Sequence, residues 1–341
     1  MQYAYLIIFF LSVFGLLTST SGCDSAGPLM TSEDVASDSS ETVQEPASRD
    51  SLFLVFTIGY GPSYSGFFNV STGGNIRMLD LRSSTGFNGA PEYGIWKPLV
   101  SPSGKLIAYF QTPMGNVTLL EGSLVESFTT SSRTDFNRTV DVSKAHWSKD
   151  ERSIYFRTGF GIANVGYWTT FELDFETDVV QIVADKHIPV GRSSNGNVLL
   201  KNVENSLFYE LDDATYSLVL FDHPVIKGHI YHVEWSASQS QYVLGYQNND
   251  DRWIGIAESS GPRLELIASN YTGEIAFGKP RWGNNGEIYY DQFTRRGDRP
   301  TVIMKYDPTL HSSSIYLTAK QMGFDSNTVH LADILRLESK K

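Results

Sequence analysis

From residue 51 onward, apolar positions fall in short runs bounded by polar turn residues. Five of these runs, Leu106–Phe110, Ser153–Phe156, Val198–Leu200, Tyr242–Tyr246 and Glu287–Tyr290, are rich in Ile, Val, Leu, Tyr and Phe. Short apolar runs closed off by Gly, Asn, Asp, Ser and Pro read as β-strands, and no stretch between them keeps a 3.6-residue apolar period. The prediction is an all-β chain. The C-terminal "SNTVHLADILRL" fits two forms, since Leu331, Ile334 and Leu335 suit a helical face as well as a strand.

The runs share a preamble. Ser101, Ser148, Ser193, Ser236 and Gly283 stand just before the turn that leads into each, separated by 47, 45, 43 and 47 residues. Trp147, Trp235 and Trp282 immediately precede three of these positions, and Val100 and Arg192 precede the other two. The turns read "PSG", "KDE", "SNG", "ASQ" and "NNG". Where Gly is present it supplies the positive φ of a two-residue hairpin. A second strand-like run follows 12 to 20 residues later ("NVTLLEG", "YWTTFELDF", "WIGIAES", "TVIMKYD"). A third closes the unit ("VVQIV", "YSLVLF", "RLELIA", "SSIYLT").

A unit of about 45 residues holding several short strands is the signature of a propeller blade. One such sheet has two apolar faces and cannot bury both alone; packing blades around an axis buries them and leaves only short edges. The tryptophans before the turns are expected in the core between blades. "LVSPSGKLIAYF" and "HWSKDERSIYF" resemble the WD40-like PD40 repeat, "W-S-P-D-G-K-x-I-A-F", of TolB-like propellers, with Ser103 in place of the family's Asp. "EWSASQSQYVL" and "GRSSNGNVLL" are degenerate copies. The resemblance spans about residues 51–320 and implies a six-bladed β-propeller. Five blades begin near residues 92, 140, 186, 229 and 274, and the strands after Ser51 belong to a sixth. That sixth blade lacks a first strand, for which residues 321–341 are the candidate, as a closing strand or else as a capping helix.

The N-terminus adds an address. Tyr5 to Leu17 is an apolar run short for a bilayer span and followed by small residues, the layout of an export signal over residues 1–22. "TSTSGC" ends at Cys23, the chain's single cysteine, and is similar to the lipobox of bacterial lipoproteins, with Thr20 where that family carries Leu. The resemblance implies cleavage after Gly22, lipidation of Cys23 and a membrane anchor in the bacterial cell envelope facing the periplasm. Asp24 resembles the signal that retains such proteins on the inner membrane; inner and outer membranes both stay open. Residues 23–50 hold seven acids against Arg49, six of the chain's eleven excess negative charges. So acidic and Ser-rich a segment buries too little apolar area to offset its ordering, and it reads as a flexible tether. An acidic balance with no basic cluster gives no footing for nucleic acid.

Chemistry is sparse. No G-x-S-x-G elbow, H-E-x-x-H, P-loop or second cysteine occurs. "GYGPSYSG" (59–66) leads into no helix and suits a hairpin loop better than a phosphate cradle. His223, His229 and His232 are dense in sequence, but strand geometry turns His229 and His232 to different faces. "QNNDDRW" (247–253) and "TRRGDRP" (294–300) read as exposed hairpin loops, the first with oxygens suited to calcium. We therefore expect no catalytic, cofactor-binding or metal residues, and a non-enzymatic scaffold that binds an envelope protein or small ligand at one face. The alternative is an envelope enzyme, a glycan lyase or hydrolase, with a site at the channel mouth.

Overall fold

A computed structural model of the chain describes residues 52–58, 65–70, 76–80, 95–112, 116–123, 127–135, 140–158, 168–271, 273–283, 286–294, 301–318, 321 and 329–335. These residues are almost wholly β. Blade I holds β1 (Leu52–Ile58), β2 (Ser65–Val70) and β3 (Ile76–Asp80). Blade II holds β4 (Ile95–Val100), β5 (Leu106–Thr112), β6 (Asn116–Ser123) and β7 (Ser127–Asp135). Blade III holds β8 (Val140–Trp147), β9 (Ser153–Thr158), β10 (Thr170–Asp174) and β11 (Val179–Ala184). Blade IV holds β12 (His187–Arg192), β13 (Val198–Asn202), β14 (Phe208–Leu211) and β15 (Leu218–Leu220). Blade V holds β16 (Ile230–Ser236), β17 (Gln241–Asn248), β18 (Asp251–Glu258) and β19 (Leu264–Asn270). Blade VI holds β20 (Ile275–Phe277), β21 (Arg281–Trp282), β22 (Ile288–Thr294), β23 (Val302–Asp307) and β24 (Ser312–Thr318). The chain then returns as β25 (Val329–Leu335), which pairs antiparallel with β1.

Each blade is an antiparallel meander, blades IV and V being joined by one parallel pairing of Gly191 with Val233, and β25-β1-β2-β3 has the same order as β4-β5-β6-β7. The C-terminal strand thus takes in blade I the place that β4 takes in blade II. These first strands form the inner ring: β25 contacts β4, β4 contacts β8, β8 contacts β12, β12 contacts β16, β16 contacts β21, and β21 contacts β25. The fold is a six-bladed β-propeller closed by strands from opposite ends of the chain.

Burial lies between blades, as two-faced sheets require. Leu99 and Ala108 of blade II pack with Trp147, Phe156 and Leu173 of blade III. Tyr155 of blade III packs with Val198, Leu200 and Leu211 of blade IV. Phe208 of blade IV packs with Val233, Tyr242 and Leu244 of blade V, and Val243 and Ile256 of blade V pack with Trp282 and Tyr290 of blade VI. Trp147 and Trp282 are fully buried, and the Trp147 indole N–H donates to the Leu99 carbonyl of the preceding blade (3.1 Å). Arg192, standing where other blades carry Trp, donates to the Trp147 and Ser148 carbonyls across the same kind of seam.

The repeated turns depart from the expected two-residue form. Ser101 N–H bonds the Leu106 carbonyl and Ser193 N–H bonds that of Asn197, so the loops span residues 102–105 and 194–196. A longer loop lets a type I turn end in one left-handed residue. All five turns adopt that conformation, at Gly104, Gly196 and Gly286 but also at Glu151 and Ser240 (φ 62° and 52°).

Candidate functional site

The inner strands do not run straight. Pairing slips by a bulge between Asp141 and His146 in β8, between Pro189 and Gly191 in β12, and between Ile230 and His232 in β16. In blade VI the inner strand breaks altogether between β20 and β21, where Pro280 has no N–H to give. A bulge bends the strand and re-aims its side chains. Here the bulges sit on the ring axis.

At that axis lies a cavity of about 260 Å³, lined by residues of β4, β8, β12, β16 and β21 and by the turns that follow the first three. His146, His232, Glu234, Arg192 and Arg281 line it, with Lys149 and Ser101 among the turn residues. The His146 and His232 rings lie stacked, centroids 6.4 Å apart. Both are buried, at 7% and 1% exposure. Arg281 Nη1 contacts Glu234 Oε2 at 3.2 Å, and the Trp282 amide donates to Glu234 Oε1 at 3.3 Å. His232 Nε2 stands 3.7 Å from Glu234 Oε2, outside hydrogen-bond range. Lys144 reaches across from β8 to donate to the Tyr231 carbonyl on β16 (3.0 Å).

Burial holds both imidazoles well below their usual range, and nearby cations push in the same direction: Lys279, Arg281, Arg192 and Lys144 around His146, and Arg281, Lys279 and Lys144 around His232. Both rings are therefore neutral at pH 7, each with one N–H and one lone pair. His146 Nε2 and both nitrogens of His232 make no hydrogen bond.

The sequence-dense histidines do not come together. His223 is buried elsewhere, its Nε2–H donating to the Glu258 carbonyl (2.9 Å) while its Nδ1 accepts from the Val225 amide (3.3 Å). His229 is exposed, edge-on to Tyr246. Only His232 reaches the axis. "QNNDDRW" is the β17–β18 hairpin, turning through Asn249 at φ 51°. Among the described residues no group of three or more metal-ligating side chains assembles. Cys23, the tether, most of "GYGPSYSG" and residues 295–300 lie outside the described residues.

His146, Glu234 and Arg281 escaped the sequence reading, yet a signal was there. Two positions before each repeat anchor stand Leu99, His146, Gly191, Glu234 and Arg281. Four before it stand Lys97, Lys144, Pro189, His232 and Lys279. Alternate strand positions share a face, which puts His232 and Glu234 of β16 on the cavity side, where His146 and Arg281 join them. Their chemistry differs from blade to blade, and only the ring brings it together.

No family model matches the chain, and no curated protein matches its sequence. Solved structures do share its fold. TolB from Acinetobacter baumannii is similar at 14% identity and a TM-score of 0.56, over 83% of this chain and 66% of that one, just under two thirds of its length. A chain of the nidogen/laminin complex is similar at 9% identity and a TM-score of 0.55, over 85% of this chain and 100% of that one. A protein described as a TolB from Agrobacterium tumefaciens matches at 13% identity and a TM-score of 0.51, over 78% of this chain and 89% of that one. At such identities the shared property is the propeller fold.

Proposed function

We propose that this chain is a lipid-anchored cell-envelope propeller acting as a non-enzymatic scaffold. It binds a protein or small ligand at one end of its ring. The observation that carries the scaffold reading is the engagement of Glu234. Its carboxylate is held by Arg281 and by the Trp282 amide, and the two imidazoles beside it are neutral. A general acid–base imidazole works best with its pKa near the working pH, and burial holds both of these well below it. The fold is shared with TolB and with a chain of the nidogen/laminin complex, propellers that support a protein partner as the first class to test. PD40-like turns and the lipobox-like "TSTSGC" support an envelope location.

The anchor is Cys23, with residues 24–50 as a spacer that anionic head groups repel. Substituting Cys23→Ser should abolish lipid labelling and leave an unprocessed precursor. Processing and fractionation unchanged from the parent would refute the anchor. Capture of the lipidated parent with a defined envelope protein from solubilised membranes, retained on reconstitution from pure components, supports the scaffold. The enzyme reading, a glycan lyase or hydrolase, keeps one observation in its favour: His232 and Glu234 share the cavity. Turnover of envelope glycans that vanishes in His232→Phe would establish it instead.

A further inference from the structure

Two buried histidines in this chain tell different stories. His223 is 3% exposed and both its nitrogens are satisfied by backbone groups. His232 is 1% exposed and neither of its nitrogens is. An unmade hydrogen bond on a buried polar group leaves its desolvation uncompensated, so apolar side chains would fill the same space with less penalty. His146 repeats the anomaly through Nε2, and both rings border an open cavity and not packed side chains. Donors and lone pairs that no protein group satisfies, facing a cavity, point to a bound molecule there.

The surrounding charge says which ligand. The cavity lining carries Arg192 and Arg281 against one acid, Glu234, and Lys144 and Lys279 lie near enough to act on both imidazoles. The turn residue Lys149 adds a further positive charge to the lining. A divalent cation would meet this field with one carboxylate that Arg281 already neutralises. An oxyanion meets imidazole N–H donors in a low-dielectric setting of net positive sign, where charge-assisted hydrogen bonds are strong.

We propose that the axial cavity is a binding site for a small oxyanion, a carboxylate- or phosphate-bearing molecule of at most about monosaccharide size, received by His146 and His232. The volume of about 260 Å³ sets the size limit. The site stands independently of the membrane anchor and of any protein partner on the ring's surface.

The test uses the propeller-bearing full chain, titrated at constant ionic strength with inorganic phosphate, D-glucuronate and neutral D-glucose. Saturable binding of phosphate or glucuronate at least about tenfold tighter than glucose is expected, worth about 1.4 kcal/mol. Phosphate alone assigns a phosphate ligand, and glucuronate alone assigns a carboxylate. His232→Phe and His146→Phe keep a ring of similar size and remove the unsatisfied nitrogens, so each should fold at least as stably as the parent while losing anion binding at least about tenfold. Lys149→Ala, in an exposed turn, should weaken binding only a few-fold, and it keeps the test open if a histidine variant fails to fold. Equal binding of glucose, no saturable anion binding at millimolar concentration, or anion binding indifferent to all three substitutions would overturn the site. So would zinc binding that His232→Phe abolishes.

Discussion

Two neighbouring columns of the inner strands do opposite things. In β8, β16 and β21 the residue just before the repeat anchor is Trp147, Trp235 or Trp282, and the one before that is His146, Glu234 or Arg281. Trp147 and Trp282 pack between blades. His146, Glu234 and Arg281 border the axis. Adjacent strand residues face opposite ways, so in blades III and VI the tryptophan meets a seam between blades while its neighbour meets a shared central space. Where the environment repeats, the residue repeats. Where five inner strands converge on one volume, each of their blades contributes something different.

The largest effect should come from the repeated column. Trp282→Ala removes a fully buried ring between blades V and VI and should cost about 3–5 kcal/mol in denaturant unfolding. Trp235 is only partly buried, resting on Tyr242 of its own blade (4.7 Å), so Trp235→Ala should cost clearly less. Equal costs would mean that the tryptophans are not graded by burial at the blade seams, and the comparison would break.

The histidines that border the axis should show themselves in acid. The unfolded chain takes up a proton on each histidine near the ordinary value of 6.5, whereas His146 and His232 in the folded ring resist it. A folded pKa below the unfolded one gives stability that is complete above pH 6.5 and falls as the pH drops towards the folded value. The slope is about 1.4 kcal/mol per pH unit for each histidine. Burial is the main cause; Lys144, Arg192, Lys279 and Arg281 add to it, and Glu234 is the acid facing the pair. The double substitution His146→Phe and His232→Phe should flatten unfolding free energy between pH 6.5 and 5 by that amount. A parent and double variant with parallel pH profiles would show that the rings already titrate in the folded state.

The architecture was legible because burial between blades imposes itself on the chain every 45 residues or so, through Trp147, Trp235, Trp282 and the turns after them. The cavity was not, because His146 and His232 are 86 positions apart and do not even stand at the same distance from their anchors. Closeness along the chain misled instead. His229 and His232 are three apart, yet the bulge at Tyr231 and the end of the strand send one to solvent and the other to the axis. The turns were half legible. Gly104, Gly196 and Gly286 announce a left-handed residue, while Glu151 and Ser240 hide one.

Those hidden positions give the smallest and cleanest test of how strongly the repeat dictates its turn. Ser240 sits exposed at φ 52°, four residues after its anchor, whereas the left-handed Gly104 of blade II, at φ 74°, stands three after its own. A residue with a Cβ is strained there, and glycine is not, though glycine loses more freedom on folding. The balance favours Ser240→Gly by roughly 0.5–1 kcal/mol. Glu151→Gly should gain nothing, because the Glu151 carboxylate accepts from both the amide (2.5 Å) and hydroxyl (2.6 Å) of Ser103 in the neighbouring turn. Paired urea titrations measure both. A stabilised Ser240→Gly beside an unimproved Glu151→Gly would show that blade V keeps its non-glycine turn at a small cost, while blade III holds its own because the side chain ties two blades together.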